Sequence, residues 1–278
     1  MVKCVIQVAD IHVRNMMRHE EYVEQFENFI ESCRDVIRKG KYEKDEVRIL
    51  ICGDLVHQKN TISNELITLI SVFIRKLEDV AKVLVYTGNH DLVVNNLGRM
   101  DTLTAVFDTA GFDNAVLLDQ LTDYESGTMV DDNIIWALYS IHDDYRRPDI
   151  ESAKEEAPDN IVVGLFHGPV VGSQVNNGTV MESGIDGEVF EGCDVVMAGD
   201  IHKRQILKKK GVQIVYPGSL IQQNFGETVT QHGYAVWDLT KKILKPKFID
   251  LDTTYGLYDF SIESVDDVDN DDEKLLNY

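Results

Sequence analysis

The sequence predicts an α/β fold, with a parallel sheet covered by helices and a second sheet packed on it. Three observations carry this. In the first ninety residues, apolar runs of strand length alternate with helical stripes, the pattern of a parallel sheet. In the rest of the chain short strand-like runs recur between turn residues and helical stripes are scarce, which predicts a second, more antiparallel sheet. Five apolar runs end in side chains that bind metals or move protons, and open α/β sheets place ligands beyond the carboxyl ends of their strands.

Lys3 to Val8 is a short apolar strand leading to Asp10 and His12. Over residues 20–38, Tyr22, Val23, Phe26, Phe29, Ile30, Cys33, Val36 and Ile37 recur at helical spacing, and Gly40 supplies a stop. Val47 to Cys52 is the second strand, ending at Gly53-Asp54 with His57 three residues on. A helix is expected over residues 63–80, with Leu66, Ile67, Leu69, Ile70, Phe73, Ile74 and Leu77 as its apolar positions. The third strand, Val83 to Tyr86, runs into Gly88-Asn89-His90-Asp91. Further strands are expected at 115–118, 134–139, 161–166, 194–197, 213–216, 233–237 and 245–251, with no repeat of fixed period. Residues 1–250 form one domain, and 251–278 an acidic tail whose segment 263–274 is too polar to hold a core.

The chain has 278 residues, 44% of them hydrophobic, enough for a sizeable core. No stretch has the uninterrupted apolar length of a membrane span. Met1-Val2-Lys3-Cys4 enters a strand without a signal-peptide layout, and the four cysteines lie far apart. Buried free thiols and a cytoplasmic location follow as expectations. The formal net charge of -21 opposes nucleic-acid binding, which usually needs a basic surface. Nine acids and Lys274 fall within 252–274, so much of that charge sits in the tail, and bound divalent cations would offset more.

The strand ends supply Asp10, His12, Asp54, Asn89, His167, Asp200 and His202 as candidate ligands. Seven oxygen and nitrogen donors suit two ions. The lack of thiolate disfavours structural zinc and suits manganese, iron, magnesium or catalytic zinc. Two ions at roughly 3.5–4 Å need a shared anionic ligand and clamp a phosphoryl group, and a water between them becomes a nucleophile near neutral pH. Asp54, leaving a tight Gly-Asp turn, is the candidate bridge. His90 is placed to contact a phosphate or protonate a leaving oxygen. Asp91 is expected to orient His90 or cap the turn.

Asp10-x-His12, Gly53-Asp54, Gly88-Asn89-His90-Asp91, His167 and Gly199-Asp200-x-His202 resemble the five ordered motifs of the calcineurin-like metallophosphoesterases, across roughly residues 3–240. Within that superfamily the chain resembles SbcD-type nuclease subunits of double-strand-break repair, especially phage, archaeal and viral members. The stretches that carry this are Asp10-Ile11-His12-Val13-Arg14-Asn15, His57, Tyr216-Pro217-Gly218-Ser219-Leu220, the run Gln222 to Glu227, and Gly233 to Asp238. The resemblance implies a four-layer α/β/β/α sandwich with two facing mixed sheets and two divalent ions, manganese preferred. Asp10, His12, Asp54 and His202 would hold one ion, and Asp54, Asn89, His167 and Asp200 the other. His90 and His57 would be the catalytic or phosphate-contacting histidines. Arg14 would bind substrate, with a surface salt bridge as the plainer alternative. DNA, an SbcC-type ATPase and a homodimer partner are implied as well.

The chain departs from the family pattern in two places. Asp200 stands where the last motif usually has His, which makes the site harder and favours manganese or magnesium over zinc. Few residues follow the second sheet, so no separate capping domain for DNA is expected. Loops such as 143–148 and the tail are then the candidates for holding substrate. Two other functions fit the same motifs: a phosphodiesterase for a small or cyclic nucleotide, and a metal-stabilised scaffold that recruits an ATPase. His19, His142 and His232 lie outside the pattern and are expected to be structural or exposed. Lys208-Lys209-Lys210 is expected at a solvated hairpin tip.

Overall fold

The computed structural model describes residues 1–59 and 61–258. In chain order the elements are β1 (Cys4–Val8), α1 (His19–Gly40), β2 (Val47–Cys52), α2 (Asn64–Glu78), β3 (Lys82–Tyr86), α3 (Thr102–Ala110), β4 (Ala115–Leu117), α4 (Leu118–Leu121), β5 (Gly127–Asp131), β6 (Ile134–Tyr139), α5 (Ile150–Glu156), β7 (Ile161–His167), β8 (Val195–Gly199), β9 (Gln205–Lys209), β10 (Val212–Tyr216), β11 (Gly233–Asp238) and β12 (Pro246–Asp250). They build two six-stranded sheets, ordered β12-β11-β1-β2-β3-β4 and β5-β6-β7-β8-β10-β9.

Strand periodicity sorts the apolar side chains into layers. In β1, Cys4, Ile6 and Val8 face a core shared with α1, α2 and α3, while Val5 faces the other sheet. In β2, Ile49 and Ile51 point to the helices and Leu50 and Cys52 to the second sheet. In β8, Val195 and Met197 enter the inter-sheet core while Val196 and Ala198 pack outward with Phe190 and Ile150 of α5. Both faces of these strands are covered, which is why they read as unbroken apolar runs. Helices and sheets thus form an α/β/β/α sandwich.

Polar contacts fix one sheet against the other. Gln7 is fully buried and its amide donates to the carbonyls of Ala198 and Val215 at 3.2 and 3.0 Å. Tyr86 donates its hydroxyl to Phe166 and Met197 carbonyls, both at 3.0 Å. Arg48 on β2 donates two bonds to Asp131 at the end of β5, at 2.7 and 2.9 Å.

The second sheet is not the more antiparallel one. β6-β7, β7-β8 and β8-β10 are parallel, and only β5 and β9 run against their neighbours. The antiparallel strands β11 and β12 join the first sheet beside β1. Apolar runs carry no mark of direction, so sequence pattern could not assign these strands. The helix expected at 20–38 is α1, which extends through Gly40, and Lys41 takes the left-handed position that ends it. Of the lysines expected at a hairpin tip, Lys208 and Lys209 end β9, paired with Gln213 and Val212, and Lys210 forms the β9–β10 turn with Gly211. Residues 251–258 lie against the body of the protein: Gln25 donates to the Asp252 carbonyl at 3.0 Å, and Leu257 N–H donates to Gln222 at 2.7 Å. The acidic segment 263–274 lies outside the described residues. No helix among the described residues is long and apolar enough to cross a membrane.

Candidate metal centre

Five parallel strands, β1, β2 and β3 of one sheet and β7 and β8 of the other, deliver their carboxyl ends to one cleft. Each chain reversal there is tight. Asp10, His12, Asp54 and Asp200 hold positive φ angles of 52°, 52°, 53° and 93°, a region that L residues adopt at a cost. The glycines of the motifs permit close approach. A Cβ on Gly88 would meet the Asp54 nitrogen and Oδ1 at 2.3 Å, and one on Gly199 would meet the Cys52 carbonyl oxygen at 2.1 Å.

The cleft brings all seven candidate ligands together. Asp54 lies between two groups: its Oδ2 is 3.4 Å from His12 Nε2 and its Oδ1 is 3.2 Å from His167 Nε2. On the first side, His12 and His202 point their Nε2 atoms at each other, 3.0 Å apart. On the second, His167 Nε2 is 3.9 Å from Asp200 Oδ1, which accepts the Asn89 amide at 2.6 Å. Asp10 joins both, and its Oδ1 accepts the Asp200 N–H at 2.8 Å. Among the described residues, the ligand atoms of Asp10, His12 and His202, and of Asp10, Asp54 and His167, lie within 4.8 Å of one another.

Two observations show that this donor set fits divalent cations. Among the described residues Asp10 Oδ2 is buried without a hydrogen-bond partner, which is costly unless something else satisfies it. The imidazoles are also turned to present lone pairs. His167 Nδ1 bonds the Cys52 carbonyl at 2.8 Å and His202 Nδ1 bonds Glu227 at 2.7 Å. A carbonyl or carboxylate only accepts, so each Nδ1 carries the proton and each Nε2 is the atom left for a ligand. All four cysteines are buried and free, and none offers its sulfur here.

The electrostatics are those of crowded charge in a dry site. Burial pushes the Asp10 carboxyl up to about 7. Burial also works against the Asp54 carboxylate, but His167 and His12 outweigh it and hold Asp54 ionised. Burial lowers His167 and His202, yet the acids around them prevail: Asp54 raises His167, and Glu227 and Asp10 raise His202 to about 9, so a cation binding at Nε2 would displace a proton held there by these acids. His12 is driven well below its usual range by burial.

His57 and His90 stack at the mouth, ring centroids 5.2 Å apart. His90 Nδ1 bonds the His57 carbonyl at 2.7 Å, which leaves Nε2 for proton transfer, and its backbone N–H donates to Asp54 Oδ1 at 2.7 Å. Burial and the nearby Arg14 lower His57 to about 4, so it is neutral at pH 7. Arg14 donates to His57 Nε2 and to the Gln223 carbonyl, each at 3.1 Å. Asp91 does not orient the His90 ring. Its carboxylate accepts backbone N–H groups of Asp54, Gly88 and Val56 at 2.8–2.9 Å and so locks two ligand loops together. His142 lies 3.9 Å from Asp119, and His232 bonds Ser219 and Thr228, both outside the ligand set. Glu227 ends the run 222–227 that carries the family resemblance, but nothing in the sequence ties it to His202. It lies in a polar loop 25 positions beyond His202, where no spacing rule links the two.

The chain belongs to the calcineurin-like phosphoesterase family, whose profile matches residues 5–204. Its members hydrolyse phosphoesters with divalent metals, in keeping with the His/Asp clusters described above. The chain is 31% identical over 267 residues to uncharacterized protein R555 of Acanthamoeba polyphaga mimivirus, a match covering 92% of this chain and 18% of that protein. The chain thus spans less than a fifth of that relative's length. Among solved structures it is similar to a novel archaeal phosphodiesterase at 12% identity, covering 88% of this chain and 99% of that one with a TM-score of 0.39. It is also similar to a hypothetical protein of Pyrococcus horikoshii OT3 at 14% identity, covering 99% and 94% with a TM-score of 0.41.

Proposed function

We propose that this chain is a DNA phosphodiesterase of the SbcD type, using two manganese ions in repair or recombination. The observation that carries the phosphodiesterase part is Asp54, with one oxygen toward His12 and the other toward His167. Support for DNA as substrate comes from the SbcD-like stretches, since Arg14, His57 and the loop 219–227 all border this cleft. Asp10, His12, Asp54 and His202 would hold one ion, and Asp54, Asn89, His167 and Asp200 the other. Bound there, such ions supply Lewis acidity toward the phosphoryl oxygens and lower the pKa of a coordinated water.

The chain's own residues do the rest. His90 donates the proton of its Nε2–H to the leaving oxygen while its Nδ1–H stays on the His57 carbonyl. Neutral His57 holds the Arg14 guanidinium at the mouth, where its permanent charge suits a backbone phosphate. Residues 1–250 form the nuclease domain in this proposal. An SbcC-type ATPase and a second copy of the chain are its partners, and the cytoplasm is its location.

A second reading, a phosphodiesterase for a small nucleotide, is favoured by the net charge of -21, which repels a polyanion. One assay separates them. With manganese, the protein should degrade DNA far better than a nitrophenyl phosphodiester, and His90→Ala should lower the rate by about 10²–10⁴-fold, the usual share of a general acid. Turnover of the small diester alone would favour the second reading. Full DNA cleavage by Asp54→Ala would remove both.

A further inference from the structure

Glu227 lies between β10 and β11, with its side chain 1% exposed. Four donors converge on its carboxylate. Oε1 accepts His202 Nδ1–H and the Asn224 amide, both at 2.7 Å. Oε2 accepts the Gln223 backbone N–H at 2.8 Å and the Ser219 hydroxyl at 3.4 Å. Asn224 lines a cavity of about 320 Å³ together with Asn176, Asn177, Asp200 and His202. The loop also reaches the first ligand motif, because Gln223 Nε2 donates to the Ile11 carbonyl at 3.1 Å, between Asp10 and His12.

We propose that Glu227 is a positioning residue that couples one metal site to the cavity beside it. It rests on the assignment of His202 as an ion ligand. By accepting the Nδ1 proton it fixes the ring so that Nε2 faces His12 and Asp10, and it makes that nitrogen a better donor to a cation. By holding Asn224 on the same oxygen, it ties the wall of the cavity to the ring that binds the ion. A glutamine could not replace it. Its single acceptor oxygen cannot serve both His202 and the Gln223 N–H, and its NH₂ would face other donors.

The test is calorimetric titration of Mn²⁺ into chelator-stripped protein, with melting temperature in chelator and KM measured alongside. The parent should bind two ions. Glu227→Gln should weaken one of them about 10–100-fold, as loss of such outer contacts does, and leave the other within a few-fold. KM should rise with it, and Glu227→Asp should recover part of both. Unchanged Mn²⁺ constants in Glu227→Gln would overturn the proposal and leave Glu227 a loop-stabilising residue only. If that variant fails to fold, Glu227→Asp decides, since parental Mn²⁺ constants with the carboxylate drawn back would equally overturn it. If the parent binds no Mn²⁺, the metal assignment itself falls, a result distinct from failure at Glu227 alone.

Discussion

Asp10 shows what the cleft demands of a single residue. It is fully buried, holds φ at 52°, and keeps one carboxylate oxygen without a partner. Each feature costs the fold free energy, and the unpaired oxygen alone costs roughly 1–3 kcal/mol. Such a residue persists where the chemistry needs it. Asp10→Asn should therefore raise the melting temperature of the metal-stripped protein, yet abolish the further rise on adding Mn²⁺. A metal-stripped melting temperature below the parent's would count against this account of the strain. The candidate ligands were legible in the sequence as a set that folding brings into one cleft, because aspartate, asparagine and histidine at the ends of apolar runs serve no core. The left-handed turns that aim them were not, nor was Glu227, whose partner is set by folding rather than by spacing.

At the scale of elements, the Arg48–Asp131 pair joins β2 of one sheet to β5 of the other. Burial would raise the Asp131 carboxyl, but the Arg48 hydrogen bonds and charge outweigh it and the pKa is lowered. The pair's contribution is then fully present above the unfolded value of 3.8, and is lost as pH falls through the depressed folded value. Arg48→Met should destabilise the protein at neutral pH by about 1.5–3 kcal/mol, the scale of a charge-assisted hydrogen bond. Below pH 4 the difference from the parent should narrow. Chemical denaturation at pH 7 and pH 3 checks both, and a gap that widens in acid would contradict the sign. Elements differed in how well they could be read. α1 and α2 are long and one-sided, and β1 to β3 are buried on both faces, so pattern sufficed. The seven-residue α5 and nine-residue α3 are too short for a clear stripe. Strand direction in the second sheet depends on partners far along the chain.

At the scale of the molecule, two sheets meet so that five strand ends share one cleft, and ions bound there would cross-link them. Metal binding to the folded chain alone stabilises it, by about 2.7 kcal/mol at a free concentration 100 times Kd. Saturating Mn²⁺ should thus raise the melting temperature by several degrees, chelator should reverse it, and Asp54→Ala should show no shift. An equal shift in Asp54→Ala would place the ions elsewhere. The sandwich was legible from strand and helix alternation joined to the motif order. The net charge of -21 says nothing of the fold but bears on partners.

The most direct measurement is anomalous X-ray scattering from crystals soaked in Mn²⁺. The account predicts two peaks roughly 3.5–4 Å apart, the spacing of a two-metal phosphoryl-transfer site, flanking Asp54 with Asp10, His12 and His202 on one side and Asn89, His167 and Asp200 on the other. No peak in the cleft, or one that leaves Asp54 uncoordinated, would contradict it.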